Sequence, residues 1–364
     1  MNKIIKRIIK FIASLLGLSI FFSLAILIAF WYYNSPPDFS YEKVSLQDGI
    51  SMEASENNKI TVRFEIRKGE IARSVGRRLF GSGIIKNEYL WLLLCRYYGD
   101  YHNQNLKAGN YLIELPATQM EIYKLLVSGK QILQKVIIPE GFTLKKTAEL
   151  LEYEGICPAK DFLEAAFDRE FINEYRIPGQ SMEGYLYPDT YFFHFDYPAK
   201  RVVQKMAETF FTRIDEIDEK IKSLPADELN KLVILASIVE REYFLPEEAP
   251  EIAGVFLNRL NIGMALQSCA TVEYIITEIL DRPHPEFLST RDLDIKDPYN
   301  TYNRPGLPPG PICAPGALSL KAAYFPAKNN YLYFRLIDIE EGKHYFSRTL
   351  DDHIRAGRLY LKGR

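Results

Sequence analysis

Cysteine is scarce in this chain and poorly spaced for chemistry. Cys95, Cys157, Cys269 and Cys313 are scattered, with no CxxC pair and no Cys/His run at zinc spacing. All four read as free core or surface residues, and their even number leaves a disulfide open only if the chain is exported. The histidines, His102, His194, His284, His344 and His353, form no HExxH pattern, which argues against a metal site. GxxxxGK, GxGxxG and GxSxG are all missing, so there is no phosphate loop and no serine-hydrolase elbow, and no cofactor is expected. Neither sign of charge dominates: 45 Lys plus Arg stand against 47 Asp plus Glu, a net charge of -2. A nucleic-acid partner, which would call for a basic patch or stripe, is not expected.

What the chain does have is apolar mass. It is 47% hydrophobic and 13% aromatic over 364 residues, enough for two globular domains. Lys3, Lys6, Arg7 and Lys10 precede an uncharged 23-residue run, Phe11 to Tyr33, that closes on Trp31, Tyr32 and Tyr33. About 20 apolar residues span a bilayer core. The basic flank predicts a cytoplasmic N-terminus and the closing aromatics an interfacial belt, so residues 1–36 read as flank and uncleaved transmembrane anchor. A cleaved signal peptide would show a shorter apolar region and small residues at a cleavage site. Everything beyond the anchor would then be extracytoplasmic. Residues 37–59 are polar, mixed in charge and poor in large aliphatics, and read as a stalk.

Ile60–Ile66 alternates apolar and polar residues as a strand does. A turn at Lys68-Gly69-Glu70 leads to a helical pattern through Ile71, Val75 and Leu79, closed by Gly83 and Ile84. Lys135–Gly141 (KVIIPEG) begins a second such unit, with helical Leu144, Ala148 and Leu151 closed by Gly155 and Ile156. Gly69 to Gly83 and Gly141 to Gly155 are the same 14 residues apart, which suggests an internal βα repeat; chance likeness of two βα units is the alternative. Between them lie helices near Lys86–Tyr98 and Met120–Ser128 and a strand at Leu106–Glu114, making a small α+β module.

The stretch Lys231–Tyr243, KLVILASIVEREY, is the most telling. A helix apolar on all sides is a buried helix, and Glu is rarely buried without compensation. Glu240 at its end is therefore a salt-bridged structural residue, the start of a solvated helix end beside Arg241 and Glu242, or a tuned acid. A charged amphipathic helix is expected over Lys200–Leu224, and another helix over Glu251–Asn261 capped by Gly263. Glu183–Tyr191 (EGYLYPDTY) sets turn formers between aromatics, either to stack sugar rings or as a packed hairpin. Leu266–Val272, Tyr299–Tyr302 and the Gly306–Gly316 run follow, the last dense in Gly and Pro and so conformationally preset. Amides, hydroxyls and aromatics with almost no charge suit a neutral, hydroxyl- and amide-rich ligand such as a glycan; a structural loop is the alternative. The chain closes with a hairpin at Tyr331–Ile337 and Lys343–Ser347 and a helix from Leu350.

Taken together and in order, these motifs resemble the YceG-like, or MltG, family of endolytic murein transglycosylases. The resemblance rests on LASIVERE (Leu235–Glu242), EGYLYPDTY, the Tyr299–Gly316 run with its GLPPGPI core, LKAGNY (Leu106–Tyr111), PEG (Pro139–Gly141) and KAAYFPAKNNYLYF (Lys321–Phe334). It covers roughly residues 60 to 355. One departure is visible: the family's LQSDPTV reads here as Leu266-Gln267-Ser268-Cys269-Ala270-Thr271-Val272, so Cys269-Ala270 replaces Asp-Pro.

The resemblance implies an α+β protein with a transmembrane helix, a small LysM-like α+β subdomain at residues 60–132 and a mixed α+β catalytic domain at 133–364. It implies a single-pass cytoplasmic-membrane enzyme that cuts the β-1,4 MurNAc–GlcNAc bond within peptidoglycan glycan strands to leave 1,6-anhydroMurNAc ends, and that limits nascent strand length. It implies Glu240 as the catalytic acid and cell-wall synthases as partners. Gln267, Ser268, Asn300, Thr301 and Tyr302, with Glu183 and Tyr187, are the expected glycan contacts. Two alternatives stay open: a two-carboxylate muramidase hydrolase, with Glu183 or another acid beside Glu240, and a non-catalytic glycan-binding scaffold, which the Cys269-Ala270 change keeps in view. Desolvation by Leu235, Ala236, Ile238 and Val239 would keep Glu240 protonated near neutral pH, as a general acid requires.

Overall fold

The computed structural model describes residues 2–37, 50–54 and 60–360 and divides into two compact units, Met1–Leu133 and Gln134–Arg364.

The first unit opens with helix α1 (Asn2–Asn34). Its apolar window has a mean hydropathy of 2.6 and is not covered by protein, so by length and composition it can cross a membrane. Strands β1 (Ile50–Ala54) and β2 (Ile60–Ile66) follow. β1 lies inside the stretch expected to be stalk. It pairs antiparallel with β2, Ile50 opposite Phe64, and that pairing gives order to a segment whose composition alone does not specify it. Residues 38–49 and 55–59 of the expected stalk lie outside the described residues. Helices α2 (Ala72–Gly81) and α3 (Glu88–His102) lead to β3 (Gly109–Leu115) and α4 (Gln119–Ser128). The antiparallel sheet runs β1-β2-β3, with Val62 opposite Ile113 and Phe64 opposite Tyr111. The alternation in β2 sends Val62, Phe64 and Ile66 to one buried face, where they meet Val75, Leu79, Trp91 and Leu126. A Thr118–Glu121 capping box starts α4.

The second unit pairs β4 (Gln134–Ile137) antiparallel with β5 (Thr190–Phe193), and between these strands run α5 (Leu144–Tyr153), α6 (Ala159–Ala166) and α7 (Arg169–Glu174). The two βα elements end alike. Ile84 N–H bonds Leu79 O and Gly83 N–H bonds Phe80 O; Ile156 N–H bonds Leu151 O and Gly155 N–H bonds Glu152 O. Gly83 and Gly155 both hold positive φ, the backbone of a left-handed helix stop.

The expected Lys200–Leu224 helix is two: α8 (Ala199–Ile217) and α9 (Glu219–Lys222). Asp218 takes extended backbone between them and caps α9 with its carboxylate. The chain continues through α10 (Ala226–Glu240), a 3-10 turn at Pro246–Glu248, α11 (Ala249–Asn261) and α12 (Cys269–Tyr274), which runs on as a π-helical turn at Ile275–Ile279. Helices α13 (Thr290–Leu293) and α14 (Ala317–Tyr324), the hairpin β6 (Tyr333–Asp338) and β7 (Lys343–Ser347), and α15 (Leu350–Tyr360) complete it.

α10 is buried on all sides from Leu232 to Val239, as its composition demands, and ends at Glu240 rather than at Tyr243. Pro225 precedes its first turn, where Asp227 and Glu228 face the positive helix end. Its one polar interior residue, Ser237, donates to Ile234 O (2.8 Å) and accepts from Ile312 N–H (3.0 Å). A hydroxyl inside an oily helix thus fastens the GLPPGPI loop to it.

Candidate active site

Glu240 is the last residue of α10, a position that the negative end of the helix disfavours for a carboxylate. A second element offsets this. The Gly316 N–H at the start of α14 donates to Glu240 Oε2 (2.9 Å), and so does the Ser319 hydroxyl (2.6 Å). Among the described residues Oε1 receives only the Tyr243 hydroxyl, at 3.3 Å. Burial pushes the Glu240 carboxyl above the ordinary carboxylate range; the Ser319 and Gly316 bonds pull the other way, and the charge of Glu140 adds to the rise. Burial also raises the Tyr243 phenol to about 12, so it stays a donor at neutral pH.

The PEG turn forms the opposite wall. Gly141 takes positive φ, its N–H donates to Ala314 O (2.9 Å), and Ala314 N–H donates to Phe142 O (2.8 Å). A methyl group added at Gly316 would overlap the Glu140 carboxyl, so Glu140 packs against the same residue whose N–H holds Glu240. Two carboxyl groups, one half-buried and one exposed, thus meet on Gly316. Arg241 does not neutralise Glu240; it pairs with Glu273 at 3.1 Å.

The other expected site residues gather around Glu242. The Ser268 hydroxyl donates to Glu242, whose carboxyl burial raises to about 7. Ser268 N–H donates to Thr301 Oγ1 (3.1 Å), Thr301 Oγ1 meets Thr271 Oγ1 (3.0 Å), and Gln267 N–H donates to Thr301 O (3.1 Å). Asn300 has no exposed surface; its amide donates to Leu293 O and Ile295 O and its carbonyl accepts from Tyr302 N–H. Ser268, Asn300 and Thr301 therefore spend their polar groups on locking two loops together. Gln267, at positive φ and exposed, and Tyr302, half-buried with its hydroxyl 3.1 Å from Cys269 Sγ, are the members that reach a cavity.

Glu183 and Tyr187 are placed elsewhere. Both Glu183 oxygens accept from Leu144 N–H (3.2 and 3.1 Å) at the start of α5, and burial raises this carboxyl to about 8. Gly184, at positive φ, presses on Pro311 and Val233, so the Glu183-Gly184 turn wedges the Pro-rich loop against α10. Tyr185, Leu186 and Tyr187 are core residues, and Tyr187 lies under the Arg213 guanidinium (5.9 Å). Cys269-Ala270 opens α12 without the family's Asp-Pro: Cys269 is exposed, Ala270 is buried, and the helical turn forms with no acid there. Among the described residues no three His, Cys, Asp or Glu side chains converge as a metal site.

Sequence reasoning did not single out Glu140, Tyr243, Gly316, Ser319 or Glu242 as site residues. Glu140, Glu242, Tyr243 and Gly316 lie inside motifs quoted above; Ser319 carries no local signal.

The YceG-like family profile matches residues 64–358, and this chain belongs to that family. It is similar to proteins named endolytic murein transglycosylase. That of Streptococcus pneumoniae serotype 2 (strain D39) is 28% identical over 344 residues, 87% of this chain and 61% of the relative. That of Bacillus subtilis (strain 168) is 28% identical over 324 residues, 85% of this chain and 87% of the relative. The chain thus spans about three fifths of the pneumococcal relative's length. A crystal structure of a YceG-like protein from Listeria monocytogenes superposes with a TM-score of 0.54 at 32% identity, covering 81% of this chain and 98% of that one.

Proposed function

We propose that this protein is a membrane-anchored endolytic murein transglycosylase that uses Glu240 as both acid and base. The observation that supports this best is the unequal treatment of the two Glu240 oxygens. Oε2 is held by two strong donors, whereas Oε1 has one long contact, so Oε1 is the oxygen free to carry and deliver a proton. Glu240 Oε1–H protonates the oxygen that links MurNAc C1 to the next GlcNAc, and the C1–O bond breaks. The MurNAc C6 hydroxyl attacks the oxocarbenium-like C1, and its proton returns to Glu240. One glycosidic bond is exchanged for one internal C1–O6 bond, and no water is consumed.

α1 serves as the anchor, with the N-terminus cytoplasmic. Residues 60–132 act as a LysM-like glycan-holding module and residues 133–364 as the catalytic domain. This arrangement keeps cleavage close to where strands are made, next to the synthases.

A second reading has one specific observation in its favour. Glu140, packed on Gly316 beside Glu240, supplies the second carboxylate that a hydrolase needs. Mass analysis of products from intact peptidoglycan separates the two. Anhydro ends are expected; reducing ends would transfer the role of base for water to Glu140 and overturn the transglycosylase reading.

A further inference from the structure

A cavity of about 500 Å³ opens beside the candidate active site, and its chemistry differs from that of the Glu240 pocket. Arg241 and Glu242 line it, one and two Cα steps of about 3.8 Å each along the chain from Glu240. Two further guanidinium groups enter it, from Arg259 on α11 and Arg335 on β6.

Arg259 is only 7% exposed. Its Nε donates to Leu332 O (2.6 Å) and its Nη1 to Leu266 O (2.7 Å), and its cation lies over the Tyr333 ring (5.2 Å). Arg335 Nη1 donates to His353 O (3.2 Å), while Arg335 Nε and His353 Nδ1 are buried without a partner. Gly357 in α15 makes room for this guanidinium, which a methyl group there would overlap. Of the other charges, Arg241 pairs with Glu273, and Glu242 takes the Ser268 hydroxyl while its charge reaches Arg259 only through space. Among the described residues no carboxylate ion-pairs with Arg259 or Arg335. A buried cation without a direct ion-pair partner is costly, and unsatisfied buried donors call for an explanation. The field of these groups is also felt by His353, which burial, then Arg335 and Arg259, push below the ordinary histidine range.

We propose that this cavity receives a carboxylate carried by the peptide substituent of the glycan strand, so that the protein reads peptide-bearing, negatively charged strands beside the bond it cuts. Arg259 and Arg335 supply the donors, and Tyr333, Phe334 and Leu336 supply an apolar wall for the peptide. This proposal rests on the murein-cleaving reading above.

The test compares strands whose peptide carboxylates are free with the same strands after conversion of those carboxylates to amides. A charged hydrogen bond contributes about 1.5–3 kcal/mol, so the wild-type protein should prefer free carboxylates by roughly 10- to 150-fold in kcat/KM. In Arg335→Met the ratio should fall close to one, and in Arg335→Lys part of it should return. A wild-type ratio near one, or the same ratio in Arg335→Met, would overturn the proposal while cleavage itself stood. Strands stripped of peptide keep only the lactyl carboxylate. If they are cut as well as peptide-bearing strands, the anion is the lactyl group and the peptide assignment fails. Calorimetry on full-length Glu240→Gln with a soluble N-acetylmuramoyl peptide and its fully amidated form gives a readout free of turnover. Tighter binding of the charged form is expected and equal binding contradicts the site. Absence of cleavage by the wild-type protein alongside charge-selective binding would sink the murein-cleaving reading alone.

Discussion

At the scale of single residues, Glu240 lies between two helix ends of opposite sign. The C-terminus of α10 and burial favour its neutral form; the Gly316 N–H and Ser319 hydroxyl at the start of α14 favour its charged form. An acid that must give and then retrieve one proton benefits from that balance. Removing a donor to the ionised form raises the pKa, so Ser319→Ala should move the alkaline limb of kcat/KM to higher pH; an unmoved limb would mean that Glu240 is not the titrating acid. Two other carboxyls that burial raises act on stability. Glu183, raised to about 8, and Glu242, raised to about 7, hold protons in the folded state that an unfolded chain, with glutamate near 4.3, has lost. The folded state thus binds more protons than the unfolded one between about pH 4.3 and pH 8, and stability falls as pH rises through that window. Glu183→Gln should flatten the decline of the thermal midpoint from pH 5 to pH 8. An unchanged slope would show that Glu183 does not titrate in that range.

At the scale of elements, the arrangement depends on how α10, the Pro-rich loop and α14 are joined. Ser237→Ala would leave the buried Ile312 N–H unpaired, at a cost of about 1–3 kcal/mol, read as a lower unfolding midpoint. In the first unit, a methyl group at Gly76 would overlap the Trp91 ring, whose Nε1 is tied to Ala72 O (3.0 Å). Gly76→Ala should therefore destabilise that unit by about 1–3 kcal/mol, seen as earlier loss of Trp91 burial in denaturant fluorescence. These elements were legible in the sequence to unequal degrees. α10 and β2 were plain because burial on all sides and burial on one face each leave their own periodicity. β1 was not, because five residues with few aliphatics become a strand only when β2 is there to pair with. Asn300 and Thr301 have the residue types of sugar contacts, and the same groups serve equally well as loop locks; only the fold decides between them. Ser319 reaches Glu240 across 79 positions of sequence, a meeting that no local pattern encodes.

At the scale of the whole molecule, an apolar helix, a small sheet-and-helix unit and a larger helical unit follow one another in one chain. A family match over residues 64–358 takes in nearly all of the second unit and about half of the first. In the proposed function the first unit holds the strand, the second cuts it, and all bond-breaking falls to one side chain, Glu240. The direct test is cleavage of intact peptidoglycan by the detergent-solubilised full-length protein and by Glu240→Gln, with released ends identified by mass. Glu240→Gln should lose about 10²- to 10⁴-fold of the anhydro-ended product while keeping its folded midpoint. Equal release of anhydro ends by the two proteins would contradict the claim that Glu240 is the acid.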